Sequence, residues 1–384
     1  MPKLIRVTTI PLALNTLLRG QMKFMKENGM EVIMVSADGP ERNELLEREG
    51  CPHHVIPMTR AITPIADIHS LWKMYRFFRK EKPDIVHSHT PKGGLLAMMA
   101  ARMAGVKVRI HTVAGLRFMT SAGTTRKILV RMEKLTASCA THVWPNSGSL
   151  KGYVLANKLA KPSKVEVIAE GSSNGIDLTK FNDSVIQSAK LEEIKRKINY
   201  DPSFFYFLSV GRIVKDKGME ELSQAFSRLY NENNQVRLVL LGDFEDKLDP
   251  VTPASREILM NHPAVLRMGW SADVPYYMHL ANVLVHPSYR EGFPNVLLQA
   301  GAMNCAVICS RITGNIDIVD DGHTGLICEV KDAESLYQKM RFVIDEPGTL
   351  TRLSEALKKK VHEKFDQRVV HAALLKRYSE LLND

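Results

Sequence analysis

The sequence predicts an α/β protein of two parallel-sheet domains, each Rossmann-like. Three observations carry this. The chain has 384 residues, more than one core usually supports and suited to two domains of roughly 150 to 200 residues. Short β-branched and aliphatic runs alternate along its length with stretches at helical spacing, the pattern of βαβ units. The alternation breaks once, at the turn-rich residues 171–177 (GSSNGID) and the charged run 191–199, and then restarts. These features predict an N-terminal domain over 1–171, a hinge or linker over 172–202, a C-terminal domain over 203–365, and a last helix, 366–384, packing back on the N-terminal domain.

In the first half, strands are expected over 4–10, 31–36, 54–58, 85–88, 106–111 and 142–144, with a helix over 15–28. A further helix carries Ile68, Leu71, Trp72, Tyr75 and Phe78 as an apolar face and Lys73, Arg76, Arg79 and Lys80 on the other. A second basic helix, 126–135, holds Arg126, Lys127, Arg131 and Lys134. In the second half, strands are expected over 205–210, 236–241, 283–286, 306–309 and 325–329, and helices over 219–230, 274–280, 350–364 and 368–382.

Composition narrows the class. With 45% apolar and 24% charged residues the chain is an ordinary globular sequence, and no run reaches the ~18 consecutive apolar residues of a membrane span. The N-terminus reads as a first strand rather than a secretion signal. Cys51, Cys139, Cys305, Cys309 and Cys328 are odd in number and scattered, which predicts free, buried thiols in a reducing cytoplasm. The net charge of +10 is uneven: residues 1–180 hold 27 basic and 14 acidic side chains, and residues 181–384 hold 25 and 28. The first half therefore suits an anionic partner, with the basic helices facing an anionic membrane surface. No recognition module for nucleic acid is present.

In parallel sheets, function gathers at the carboxyl ends of strands. After the fourth strand come His87, His89, Lys92, Gly93 and Gly94, and after the fifth comes His111. The three histidines lack an accompanying carboxylate or cysteine, which argues against a metal site; His87 is expected in the sheet packing, with His89 and His111 bordering a cleft. In the second half, a strand ending in Gly211 is followed by Arg212, Lys215, Lys217 and Gly218 and then a helix. Glycine, cations and a helix N-terminus together suit a diphosphate, without the spacing of a Walker loop. The stretch from Ser288 to Cys305 repeats the theme: strand, Glu291 in a glycine turn, and Pro294 at a first helical position.

These motifs together resemble glycosyltransferase family 4. Gly211-Arg212, Lys217-Gly218, Glu291-Gly292-Phe293, the turn at Gly314 and Asp321-Gly322 with Thr324-Gly325-Leu326 are similar to the family's donor half. His89 through Gly94, His111, and Asn174-Gly175-Ile176-Asp177 are similar to its acceptor half and hinge. The resemblance implies the GT-B fold, two Rossmann-like domains facing a central cleft, and a UDP-sugar donor. Arg212 and Lys217 would bind the donor diphosphate, His111 the donor sugar, and Glu291 its hydroxyls, while Gly211, Gly292, Phe293, Pro294 and Asn295 shape the nucleotide site. Gln299 stands at the position of the family's second Glu, which accepts from the ribose; an amide oxygen still accepts. Asp317 likewise stands where the family often has Glu.

Thr59-Arg60, residues 113–116 (VAGL) and Glu291 through Asn295 are similar to bacterial enzymes that extend undecaprenyl-diphosphate-linked sugars. This implies a lipid-linked or polysaccharide acceptor met by Arg60, His89 and Lys92, and a place at the inner face of the cytoplasmic membrane. Retention of configuration is implied, and so is the absence of an essential metal or cofactor; Asp243, Glu245 and Asp246 are read as a solvated loop. Two other readings fit the same plan: a nucleotide-sugar epimerase, which needs no acceptor, and a non-catalytic nucleotide-sugar-binding subunit.

Overall fold

The computed structural model describes residues 1–383 apart from 60, 120, 122 and 248. The chain divides into two compact units, Met1–Asn174 with Gln367–Asp384, and Gly175–Asp366. Each is built on one six-stranded sheet.

In the first unit, β1 (Lys3–Val7), β2 (Glu31–Ser36), β3 (His53–Val55), β4 (Ile85–Ser88), β5 (Val108–Val113) and β6 (His142–Pro145) stand in the order β3-β2-β1-β4-β5-β6, all parallel. In the second, β7 (Phe205–Val210), β8 (Val236–Leu241), β9 (Val265–Gly269), β10 (Val283–His286), β11 (Ala306–Ser310) and β12 (Leu326–Cys328) stand in the order β12-β11-β10-β7-β8-β9, again parallel. The order therefore reverses direction between β1 and β4, and again between β7 and β10. At such a switch point the connections leave to opposite faces and open a crevice at the carboxyl edge.

Strands buried on both faces need apolar residues throughout, and β10 and β11 are buried at every position. Each sheet separates two apolar layers. In the first unit, Ile5, Val7, Val86 and Met98 belong to one layer, and Leu4, Met34 and Trp144 to the other, where Val370, Leu374 and Tyr378 of the C-terminal helix Gln367–Asn383 join them. All five cysteines are free and buried.

Several boundaries differ from the sequence reading. The helix expected over 15–28 is two helices, Pro11–Leu17 and Gln21–Glu27, broken at Gly20, which adopts φ 77°. β5 begins and ends two residues later, so that His111 lies inside the strand. β9 had no strand signal because it is a half-exposed edge with Arg267 at its centre. The expected linker belongs, from Gly175 on, to the second unit: Ile194 and Ile198 of the helix Ser188–Lys197 and its C-cap are buried in that core, and Lys190 pairs with Asp273 at 3.1 Å. Backbone and side-chain bonds place the crossing. Asn174 Nδ2 donates to the Arg19 carbonyl at 2.9 Å, whereas Ile176 N donates to the Phe365 carbonyl at 2.8 Å.

The amphipathic helix expected around 68–80 runs Pro64–Glu81; Leu71, Tyr75 and Phe78 of its expected face pack on the core, but the packed stripe is rotated in part from the expected one. Ser70, Met74 and Phe78 are buried. Ile68 and Trp72, expected on the packed face, are exposed. The rotation follows from two polar anchors, Asp67 held by Lys92 and Ser70 Oγ bonded to the carbonyls of Pro57 and Ala66.

Candidate active site

The second unit gathers its polar side chains at the β7/β10 switch point. β7 runs into Gly211 and Arg212, then a short 3-10 turn, Lys215–Lys217, and Gly218 caps the helix Met219–Glu232. Gly218 has φ 69°, and a Cβ there would lie 2.1 Å from the Pro287 carbonyl oxygen. Only glycine lets this loop close on the segment leaving β10. Asp216 then laces the two together: its carbonyl accepts from Tyr289 N at 2.8 Å and Ser288 Oγ at 3.1 Å, and its Oδ2 accepts from Arg290 Nε at 2.7 Å.

That closure brings Lys217 Nζ onto Glu291 Oε1, the two residues the sequence reading had assigned to diphosphate and sugar. His286, the last residue of β10, reaches the same oxygen through Nε2 at 3.1 Å. Burial pushes the Glu291 carboxyl up, but the His286 hydrogen bond and the Lys217 charge outweigh it and hold the group well below the usual carboxylate range. Burial also lowers His286, so the neutral ring donates its Nε2–H and Glu291 stays ionised. The cluster is a fixed carboxylate with one cation and one neutral donor.

Beside it, Gly211, Arg212, Phe244, Glu245, Trp270 and Gln299 line a cavity of about 560 Å³. Arg212 NH1 pairs with Glu245. Both are on the surface, so the pair is worth little and exchanges readily for another anion. Asp246 pairs with Arg256 at 2.6 Å, and the two acids Glu245 and Asp246 lie in a solvent-facing loop with surface arginines as partners. Pro294 is the cap rather than the first helical residue, and the helix runs Asn295–Ala302 with Gln299 facing the cavity. Phe293 turns toward the core, its ring 5.3 Å from that of Phe365. The Gly292 carbonyl is covered by Gly314, where a Cβ would lie 2.5 Å away, and Asp317 accepts from Gly314 N at 3.1 Å.

The first unit differs more from expectation. His111 does not border a cleft. It is 3% exposed, its Nδ1 lies 2.9 Å from Ser88 Oγ, and the helix Pro91–Met103 passes so close that a Cβ at Gly94 would lie 2.3 Å from its Cε1. Burial pushes its pKa down to about 4. His89 is 4% exposed; with His87, Thr112, Trp144 and Asn146 it lines a small cavity of about 20 Å³. Neither nitrogen of His89 has a protein partner, and a void of this size and polarity suits one ordered water. His87 sits in the sheet packing, with Nε2 2.7 Å from Thr112 Oγ1. Lys92 is buried and spent on the first turn of the helix Pro64–Glu81 and the chain before it: it pairs with Asp67 at 2.5 Å and donates to Thr59 Oγ1 at 3.1 Å and Thr63 Oγ1 at 3.0 Å. Arg60 lies outside the described residues.

Phe244, His286 and Trp270 of the site escaped the sequence reading. His286 closes a buried strand five residues before Glu291, and a polar residue ending such a strand was the available signal. Trp270 follows β9, the strand without a signal.

Two doubly wound sheets, with a cationic and carboxylate-bearing site at the carboxyl edge of the second, define the GT-B class of glycosyltransferase fold. Residues 14–171 match the glycosyl transferase 4-like domain and residues 190–360 match the glycosyl transferases group 1 family. The capsular polysaccharide biosynthesis glycosyltransferase CapM of Staphylococcus aureus is 37% identical over 368 residues, covering 96% of this chain and 94% of that protein. An Escherichia coli UDP-Gal:α-D-GlcNAc-diphosphoundecaprenol α-1,3-galactosyltransferase is 29% identical over 313 residues, covering 80% and 78%. The crystal structure of Anabaena HepE in complex with UDP and glucose superposes with a TM-score of 0.81 at 14% identity, over 99% of this chain and 100% of that one. The chain belongs to the family 4-like, group 1 glycosyltransferases.

Proposed function

We propose that the chain is a retaining glycosyltransferase that moves a hexose or N-acetylhexosamine from a UDP-sugar to a saccharide carried on undecaprenyl diphosphate, or to a polysaccharide precursor. It works at the cytoplasmic face of the membrane. The observation that carries this is the joining of Lys217 and Glu291 at the β7/β10 switch point, next to the cavity lined by Arg212 and Gln299. The E. coli relative is named for transfer to a diphosphoundecaprenol-linked sugar, and HepE was crystallised with UDP and glucose; both support the reading.

In this reading the diphosphate takes the place of Glu245 against Arg212 and draws on Lys217, while Gln299 accepts from the ribose and Glu291 from the sugar hydroxyls. The bond from the anomeric carbon to the phosphate oxygen breaks and a bond to the acceptor hydroxyl forms on the same face. The acceptor proton passes to an oxygen of the departing diphosphate, so the products are UDP and the extended acceptor. Negative charge grows on the leaving group as the bond breaks, and cations already fixed there lower the barrier. Arg212 and Lys217 supply that charge, and the reading requires neither a metal ion nor a cofactor. His111, with its ring shut behind Gly94, is given no step.

The test is UDP release by the purified protein from a panel of UDP-sugars, with and without a detergent-solubilised polyprenyl-diphosphate sugar. Release should depend on acceptor, and Arg212→Ala, Lys217→Ala and Glu291→Ala should each lower the rate by about 10²–10³-fold. Acceptor-independent conversion of the sugar, or variants as fast as the wild type, would refute the reading.

A further inference from the structure

The first unit buries a charge that no acid beside it balances. Arg6, on β1, is wholly buried. Its NH1 donates to His87 Nδ1 and to the Tyr378 hydroxyl, while its Nε and NH2 have no partner among the described residues. Burial pushes the Tyr378 hydroxyl up to about 12, so it is neutral. Glu49, whose charge reaches Arg6, is already held by Arg48 at 2.9 Å and by the amides of Gly20 at 2.8 Å and Lys23 at 3.1 Å. Burial first, with the Arg6 charge among the further causes, holds His87 and His89 well below the ordinary histidine range. Both rings are therefore neutral. Burial lowers Arg6 too, but a guanidinium stays protonated. A buried charge without a counter-charge is costly, and cores rarely hold one.

The polar atoms beside this charge supply the rest. The His87 ring, bonded to Arg6, lies 4.2 Å from the His89 ring and 5.1 Å from the Trp144 ring, centroid to centroid. His87, His89, Trp144, Asn146 and Ser173 line the cavity of about 20 Å³ at the carboxyl ends of β4 and β6. Both nitrogens of His89, Trp144 Nε1, Asn146 Oδ1 and Ser173 Oγ have no partner among the described residues. An indole N–H can only donate, a neutral imidazole donates through one nitrogen, a hydroxyl can donate, and the Asn146 amide presents N–H when turned. The wall thus offers several donors and no carboxylate. One water fits the volume, but it leaves the charge of Arg6 unbalanced.

We propose that this cavity is a halide site, in which one chloride ion accepts from Trp144, His89 and Ser173 and balances Arg6. Size selects the ion: a halide is only a little larger than a water molecule, whereas a phosphate or a carboxylate needs far more room than this cavity has. Bound there, it joins the ends of β4 and β6 to the C-terminal helix, whose Tyr378 shares Arg6 and whose Leu374 also lines the cavity. All these residues belong to the first unit. No step of the proposed transfer runs through them, so the two ideas stand or fall separately.

The melting temperature of the full-length protein is followed at constant ionic strength while gluconate is replaced by chloride or bromide. It should rise by about 2–5 °C between about 1 and 100 mM halide and then level off. Arg6→Met should remove this dependence. Because Arg6 also holds His87 and Tyr378, Trp144→Phe is the second variant: it keeps an aromatic ring, loses one donor, and should raise the halide concentration for half the effect at least about threefold. In a Trp72→Phe, Trp270→Phe background, iodide should quench Trp144 along a saturating curve rather than a straight line. Crystals grown in bromide should give an anomalous peak within hydrogen-bond reach of Trp144 Nε1. Wild-type stability that is the same in halide and gluconate, or a halide response that survives Arg6→Met or is unchanged in Trp144→Phe, would overturn the proposal and leave the cavity to water. A bromide peak with no saturable effect in solution would mean an adventitious ion only, and would overturn it equally.

Discussion

Single residues show how far environment decides chemistry here. Lys217 and Glu291 were readable as a cation and a carboxylate at two turns, but their contact depends on Gly218 closing against Pro287. His111 shows the reverse case. The same imidazole that could touch a sugar is sealed in β5, where burial holds its pKa at about 4, against about 6.5 in an unfolded chain. Because the folded value is the lower one, the unfolded state takes up the proton first. The stabilising contribution of the neutral ring is therefore full above about pH 6.5 and drains away as the pH falls toward 4. Urea unfolding followed at Trp144 should show the wild type losing about 2 kcal/mol more than His111→Asn between pH 7 and pH 5. An identical pH dependence in both proteins would show that His111 is not the group responsible.

Elements were legible where a pattern repeats, and opaque where a neighbour decides. β7, β8 and β10 have the expected bounds because strands covered on both faces carry nearly continuous apolar runs, broken here only by Ser209, Arg237 and the terminal His286. β9 was missed because an edge strand tolerates Arg267 and carries no such run. The Pro64–Glu81 helix was visible by its period, and Leu71, Tyr75 and Phe78 of its expected apolar face do pack, but Ile68 and Trp72 stand exposed. Several helical faces of this sequence are apolar enough to pack, and Lys92 and the Pro57 carbonyl, far away in sequence, choose among them. Packing of the Pro91–Met103 helix on β5 gives a test at this scale. Gly94→Ala inserts a carbon 2.3 Å from the His111 ring. Either helix or ring must give way, so the first unit should lose about 1–3 kcal/mol, seen as a lower melting temperature. A melting temperature unchanged by Gly94→Ala would mean that the contact is looser than it stands.

At the scale of the whole molecule, the chain is not two consecutive blocks, because its last helix returns to the first unit. Gln367–Asn383 covers Leu4, Met34 and Trp144 with Val370, Leu374 and Tyr378, and the Tyr378 hydroxyl bonds Arg6 and His87. Arg6 is wholly buried, and a buried guanidinium that loses a hydrogen-bond partner is costly. Tyr378→Phe should therefore destabilise the protein by about 1–3 kcal/mol, and deleting residues 367–384 should expose Trp144 and red-shift its fluorescence. Retention of the native emission after deletion would show that the first unit closes without the helix. By itself the sequence determined the α/β class, the parallel sheets, the basic first half and the residue types of the candidate site in the second unit, because periodicity, net charge and the need for glycine at close approaches are local properties. Tertiary structure alone decided that Lys217 meets Glu291, that His89, Lys92 and His111 are shut in, and that Ile65, Ile68 and Trp72 stand in water. Each of those depends on which distant segment packs against the residue, and one sequence specifies that only through the fold as a whole.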